Sequence, residues 1–169
     1  MATPEAVAAL PRRSLDRIDR RILRTLQEDG RISNVELAHK VGLSPTPCLE
    51  RVRRLESDGF IRGYAARLDA AKLGQGLLVY VQVTLDRTTT TIFDRFRQGV
   101  LGIPEVLECH MVAGGFDYLL KLRVPDMAAY RAVLGDRLGK LPGLLQTHSY
   151  FVMEEVKDNP AIPIAEPRD

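Results

Sequence analysis

Between residues 33 and 56 the chain marks the start of two helices and the end of the first, and few folds accommodate that pair. Ser33 followed three residues on by Glu36 is a capping box, in which the hydroxyl accepts from one orphan N–H and the carboxylate reaches back to another. Val35, Leu37, Ala38 and Val41 supply the inner side of this short helix, and Gly42 ends it. Ser44 is then placed to cap a second helix, with Pro45 at its first position, where an N–H would be unsatisfied anyway. Pro47 still lies in the turn whose N–H groups lack intrahelical partners, so both prolines define the start and neither breaks the helix.

At about 100° per residue, Cys48, Leu49, Val52 and Leu55 fall on one side of that second helix. Pro47, Glu50, Arg51 and Arg54 fall opposite, flanked by Thr46 and Arg53. An arginine-bearing helix alone is more readily a solvated face. Preceded by a capped short helix and the turn "VGLS", it matches a helix-turn-helix, which lays its second helix in a major groove. Arginine there pairs with guanine or clamps phosphate.

The flanks complete a domain over residues 14–67. Leu15, Ile18, Ile22 and Leu26 form the stripe of a helix from Leu15 to Glu28, with Ser14 as its cap and Asp29-Gly30 as its stop. After Gly59, "FIRGYAARLD" reads as two short strands around Gly63, a wing whose Arg62 and Arg67 reach backbone phosphate. The candidate DNA-contacting residues are Ser44, Thr46, Pro47, Glu50, Arg51, Arg53, Arg54 and Arg62. Charge agrees: residues 1–67 hold 13 basic against 9 acidic side chains, and residues 68–169 hold 11 against 13. The first part suits double-stranded DNA. Residues 1–13 read as a flexible tail.

Residues 68–76 read as a linker to a different pattern over 77–157. "LLVYVQVTL" is a strand, "TTTTIFDRFRQGV" a helix with Ile92, Phe93, Phe96 and Val100 inward, and "VLECHMVAGG" and "FDYLLKLRV" two further strands. "PDMAAYRAVLGDRLGKL" is a second helix, buried through Met127, Tyr130, Val133 or Leu134, Leu138 and Leu141; "LLQTHSYFVMEEV" closes with a fourth strand. The order β-α-β-β-α-β is the split ferredoxin-like arrangement, so the fold class is α+β, a winged helix-turn-helix joined to a ferredoxin-like domain. Leu78, Val79, Tyr80, Val81 and Val83 put apolar groups on both faces of the first strand, which fits a face-to-face homodimer presenting two reading heads. Residues 158–169, with three prolines, read as a loose tail.

Several function classes have no support. Cys48 and Cys109 match no metal or redox spacing, and His39, His110 and His148 form no metal-binding pattern. No triad or phosphate loop can be assembled, so the chain is not expected to be an enzyme, nor to need a metal or cofactor. No apolar run approaches the ~20 residues that span a bilayer, and "MATPEAVAALPRR" is a poor signal peptide. A cytoplasmic protein with no membrane partner, associated with the nucleoid, is expected.

The blocks "LDRIDRRILRTLQEDGRISNVELAHKVGLSPTPCLERVRRLESDGFIRGY", "ECHMVAGGFDYLLKLRVPDMAAYR" and "YFVMEEVK" resemble the Lrp/AsnC (feast/famine) family of transcription regulators over roughly residues 14–157. The resemblance implies dimers that assemble further, to an octamer or similar, and an amino-acid effector between subunits, leucine being favoured. Carried over by motif, the effector residues are Met111, Gly114, Gly115, Asp117, Met127, Tyr150, Phe151 and Val152, with Asp117 the counter-charge for an α-ammonium group. Outside the resemblance, Met111 and Met127 read as core residues and Asp117 as a turn cap. Two positions depart from the family pattern: Gly114-Gly115 where a polar pair is common, and Phe151 where a smaller aliphatic is usual. The competing expectation is a DNA-organising protein of the same shape that answers to no effector.

Overall fold

The computed structural model describes residues 14–86 and 89–165; the expected N-terminal tail at 1–13 lies outside them, as do residues 166–169. The chain forms two compact units, one from the part up to Ala66 together with the segment from Asn159, the other from Arg67–Asp158.

The first unit holds α1 (Arg17–Glu28), α2 (Asn34–Val41) and α3 (Pro45–Ser57). Ile22, Leu37, Ala38, Val41, Cys48 and Leu55 are buried together, and Leu15, Ile18, Leu26, Val52 and Ile61 pack around them. Each fully buried aliphatic side chain of this kind is worth about 1.5–3 kcal/mol relative to exposure. The α2 boundaries are as expected: Ser33 and Glu36 exchange both capping-box bonds, and Gly42 closes the helix with φ 75°. Val35, expected inward, is 65% exposed instead.

Three local expectations need correction. The cap of α1 is Asp16 and not Ser14, because Asp16 and Asp19 form a reciprocal box that starts the helix two residues later. At its other end Asp29 has extended dihedrals, and Gly30 has no positive φ. Residues 60–68 form no strand ladder; the stretch expected to be a wing is extended backbone whose Tyr64 hydroxyl donates to Glu56 at 3.0 Å.

The C-terminal segment is not loose along residues 162–165. It lies on α1, where Arg20 Nη1 donates to the Ala165 carbonyl at 2.8 Å and Arg24 Nη2 to that of Ile164 at 3.0 Å. Gln27 binds the backbone of Ile162 twice, donating to its carbonyl at 3.1 Å and accepting from its N–H at 2.7 Å. Residues 20, 24 and 27 share one face of a 3.6-residue helix, so the extended segment runs along it.

In the second unit β1 (Leu77–Leu85), α4 (Thr90–Leu101), β2 (Val106–Met111), β3 (Tyr118–Val124), α5 (Met127–Asp136), a 3₁₀ turn (Leu138–Lys140) and β4 (Leu144–Phe151) follow in order. The antiparallel sheet runs β2-β3-β1-β4, the ferredoxin-like order. Val79, Val81, Val83 and Leu85 of β1 alternate inward onto Phe96, Val100, Tyr130 and Leu138 of the helical layer. The opposite sheet face is more polar than the apolar face expected for dimerisation: Lys121 and His110 pair with Glu108, Arg123 with Glu155, and the Tyr150 hydroxyl donates to Gln82.

Candidate nucleic-acid interface and effector site

Pro45 starts α3 as expected, with Ser44 in the cap position, but the Ser44 side chain makes no capping hydrogen bond. Instead Asn34 Nδ2 donates to the Pro45 carbonyl at 2.8 Å, which ties the start of α3 to the start of α2. Thr46, Glu50 and Arg53 are exposed, Pro47 is half-buried, and Leu49, expected inward, is 37% exposed. The solvent face of α3 is therefore centred on Thr46, Leu49, Glu50 and Arg53. Arg62 is exposed on the segment that follows, and neither Arg53 nor Arg62 makes an ion pair among the described residues.

Arg51 and Arg54 do not point where the spacing put them. Arg51 Nη1 binds Asp16 Oδ2 at 2.6 Å and Asp19 Oδ1 at 2.8 Å, while Arg54 Nη2 binds Asp19 Oδ1 at 2.6 Å. Among the described residues Asp19 is the one buried charged residue, at 4% exposure, and these two guanidinium groups compensate it. The Arg51 side of α3 is therefore occupied by α1 carboxylates. The hydrogen bonds that Arg51 donates to Asp16 and Asp19 raise its pKa. For Asp16, burial works against ionisation, but the Asp19 amide and Arg51 together hold its carboxyl below the ordinary value. Sequence reasoning missed both aspartates. The available signal was Asp19 itself, a charge set among Ile18, Ile22 and Leu26 on the inner stripe of α1.

The effector candidates fall into two groups. Met111, Gly114, Gly115 and Asp117 lie on or beside the β2–β3 connection, at the end of the sheet where the Asp117 N–H donates to the Val83 carbonyl at 2.9 Å. Met111, Gly114 and Gly115 are exposed there, with open space around both glycines. Asp117 also caps the end of β1, since its Oδ2 accepts from the Leu85 N–H at 2.7 Å. Met127, Tyr150, Phe151 and Val152 lie at the other end, where Phe151 registers with Val79 and the Val152 N–H donates to the Leu78 carbonyl at 3.0 Å. Met127 is 48% exposed and so is not the core residue its spacing suggested. Tyr130, which sequence reasoning treated only as core, sits edge-on to Phe151 with centroids 5.2 Å apart, and its hydroxyl is bonded to that of Ser149.

The two groups do not meet within one chain. Val79 and Val83 are separated by about 13 Å along β1, and the edge strands β2 and β4 by roughly 14 Å across the sheet. A cavity of about 520 Å³ beside α5, lined by Glu105, Pro125, Ala129, Val133 and Arg137, includes none of the candidates. Among the described residues no cluster of histidine, cysteine or carboxylate side chains could hold a metal ion, and no helix is long and apolar enough to cross a membrane.

Residues 78–162 match the Lrp/AsnC ligand-binding domain and residues 15–62 a winged helix-turn-helix DNA-binding domain. The chain belongs to the Lrp/AsnC family. It is 59% identical over 149 residues to the leucine-responsive regulatory protein of Escherichia coli K12, across 88% of this chain and 91% of that one. A transcriptional regulator of Neisseria meningitidis, solved with L-methionine, superposes with a TM-score of 0.85 at 39% identity, over 89% of this chain and 97% of that chain. A feast or famine regulatory protein of Mycobacterium tuberculosis, also with L-methionine, gives 0.78 at 32% identity, over 88% and 99%. As an Lrp/AsnC protein the chain is a DNA-binding transcriptional regulator with an amino-acid-binding domain, not an enzyme.

Proposed function

We propose that this regulator reads DNA with the exposed face of α3 and takes leucine as its effector at a site completed between two copies of the chain. The observation that carries the second half is the separation of the candidate residues to opposite ends and edges of one sheet. A small amino acid spans only a few ångströms and cannot touch both groups in one protomer. Two copies supply both, Gly114, Gly115 and Asp117 from one and Met127, Tyr150, Phe151 and Val152 from its partner. The exposed glycine N–H groups suit the carboxylate. Asp117 has one carboxylate oxygen on Leu85 and keeps the other for the ammonium group. The aromatic and thioether side chains suit an aliphatic side chain. Homodimers, or a larger assembly such as an octamer, then carry paired α3 helices to half-sites on cytoplasmic, nucleoid DNA. Effector binding shifts DNA occupancy to the extent that it favours one assembly over another.

Calorimetric titration with leucine, methionine, alanine and lysine tests this. Saturable heat with leucine is expected, lost in both Asp117→Ala and Phe151→Ala and recovered at a fraction of sites when the two variants are mixed and reassembled. Recovery by neither mixture nor co-expression would mean that one chain holds the whole site. Preference for methionine would revise the specificity, and no heat from any amino acid beside intact DNA binding would favour an effector-independent DNA organiser.

A further inference from the structure

Of the three arginines on α3, two are already spoken for within the protein. Asp16 is the cap of α1 and Asp19 stands at its third position, so both carboxylates sit at the positive end of the helix, where negative charge is held in place. The Asp16 carboxylate also accepts from the Asp19 N–H at 2.8 Å, and the Asp19 carboxylate from the Asp16 N–H at 3.3 Å. Onto this pair come Arg51 at 2.6 and 2.8 Å and Arg54 at 2.6 Å. The Asp19 side chain is 5% exposed, against 25% for Arg51 and 35% for Arg54. A DNA phosphate that drew Arg51 Nη1 or Arg54 Nη2 away would leave a buried carboxylate short of a partner.

We propose that Asp16 and Asp19 are specificity-determining residues: they withhold Arg51 and Arg54 from DNA phosphate. This rests on the reading that α3 is the DNA-contacting helix. The consequence is a reading head that meets DNA with Thr46, Leu49, Glu50 and Arg53 and with a reduced sequence-independent attraction. Phosphate contacts raise affinity for every sequence alike, while base-edge contacts separate one sequence from another. Removing two cations from the first class raises the share of binding carried by the second.

The test is the salt dependence of binding by the full chain to a duplex of random sequence, with helicity and assembly state checked for each variant. The proposal expects Asp16→Asn/Asp19→Asn to bind more tightly than the unaltered chain and to steepen the slope of log affinity against log salt by up to about 1.8 per chain, about 0.9 for each arginine released. Adding Arg51→Gln and Arg54→Gln to that variant should restore the original slope, which a purely structural role for the aspartates would not do. Should the aspartate variants fail to fold, Arg51→Gln alone decides, because Arg54 still serves Asp19. An unchanged slope then supports withholding, and a slope shallower by about 0.9 overturns it, since Arg51 would be on phosphate already. A steeper slope that persists without the arginines would overturn it as well. No binding by the unaltered chain even at low salt would remove the DNA-contact reading beneath it.

Discussion

A methyl group added at Gly143 would come within 2.5 Å of Ile92 Cγ2 and 3.3 Å of Asp86 Oδ1, on a backbone held at φ 76°. The Gly143 carbonyl also accepts from the Asp86 N–H at 2.8 Å, so the turn into β4 cannot relax without losing that bond. Gly143→Ala is expected to destabilise the second unit by more than about 1 kcal/mol from the left-handed backbone alone, read as a lower urea midpoint. Elsewhere at this scale the residue types were legible and their directions were not. Three arginines on α3 announce an anion partner, but periodicity fixes a helical face only to within a residue or so. The Asp19 carboxylate, remote in sequence, holds Arg51 and Arg54 towards α1, and Leu49 is 37% exposed. Asp117 reads as a turn cap and, by resemblance, as a ligand group, and the structure shows the capping bond with one oxygen.

Elements defined by local chemistry were read almost to the residue. The Ser33–Glu36 box needs only four residues, and β1 follows from a β-branched run whose inward members alternate. The wing, which also needs a partner for its strands, was not. Residues 60–68 carry strand-forming side chains around a glycine, yet nothing pairs with them, and the ladder does not form. The same caps predict how the first unit responds to acid. Two hydrogen bonds from Ser33 hold Glu36 below its ordinary 4.5, and Asp16 lies below its ordinary 3.8 despite partial burial. Both folded values are depressed, so the contribution is fully present above the ordinary values and disappears as pH falls through the folded ones. The urea midpoint of the first unit should therefore be insensitive to these groups above about pH 5 and fall below about pH 4. Ser33→Ala should shrink the part due to Glu36, because it removes the hydroxyl's bond and leaves that of the backbone N–H. An unaltered acid limb in that variant would show that the hydroxyl does not carry it.

For the whole chain, the order of elements predicted two domains, and the family match agrees with it. Composition hid the way the first domain closes. Three prolines in residues 158–169 suggested a loose tail, but proline disfavours helix and ladder, not an extended strip held by its carbonyls. Arg20, Arg24 and Gln27 hold such a strip. Deleting residues 159–169 is expected to cost the first unit about 1–3 kcal/mol, given net values of about 0.5–1.5 kcal/mol per hydrogen bond and their exposure. Hydrogen exchange gives the check: amides of α1 should exchange faster in the truncated chain, while those of β1 and β3 stay as they were.

That strip also sets the order in which the protein can be finished. The helices of the DNA-reading unit leave the ribosome first, but the segment that covers the Arg20–Arg24–Gln27 face is made only after all of Arg67–Asp158. At about 5–20 residues per second, the wait is roughly 5–20 s. For that interval the face stands open on the nascent chain, and the reading head is closed last.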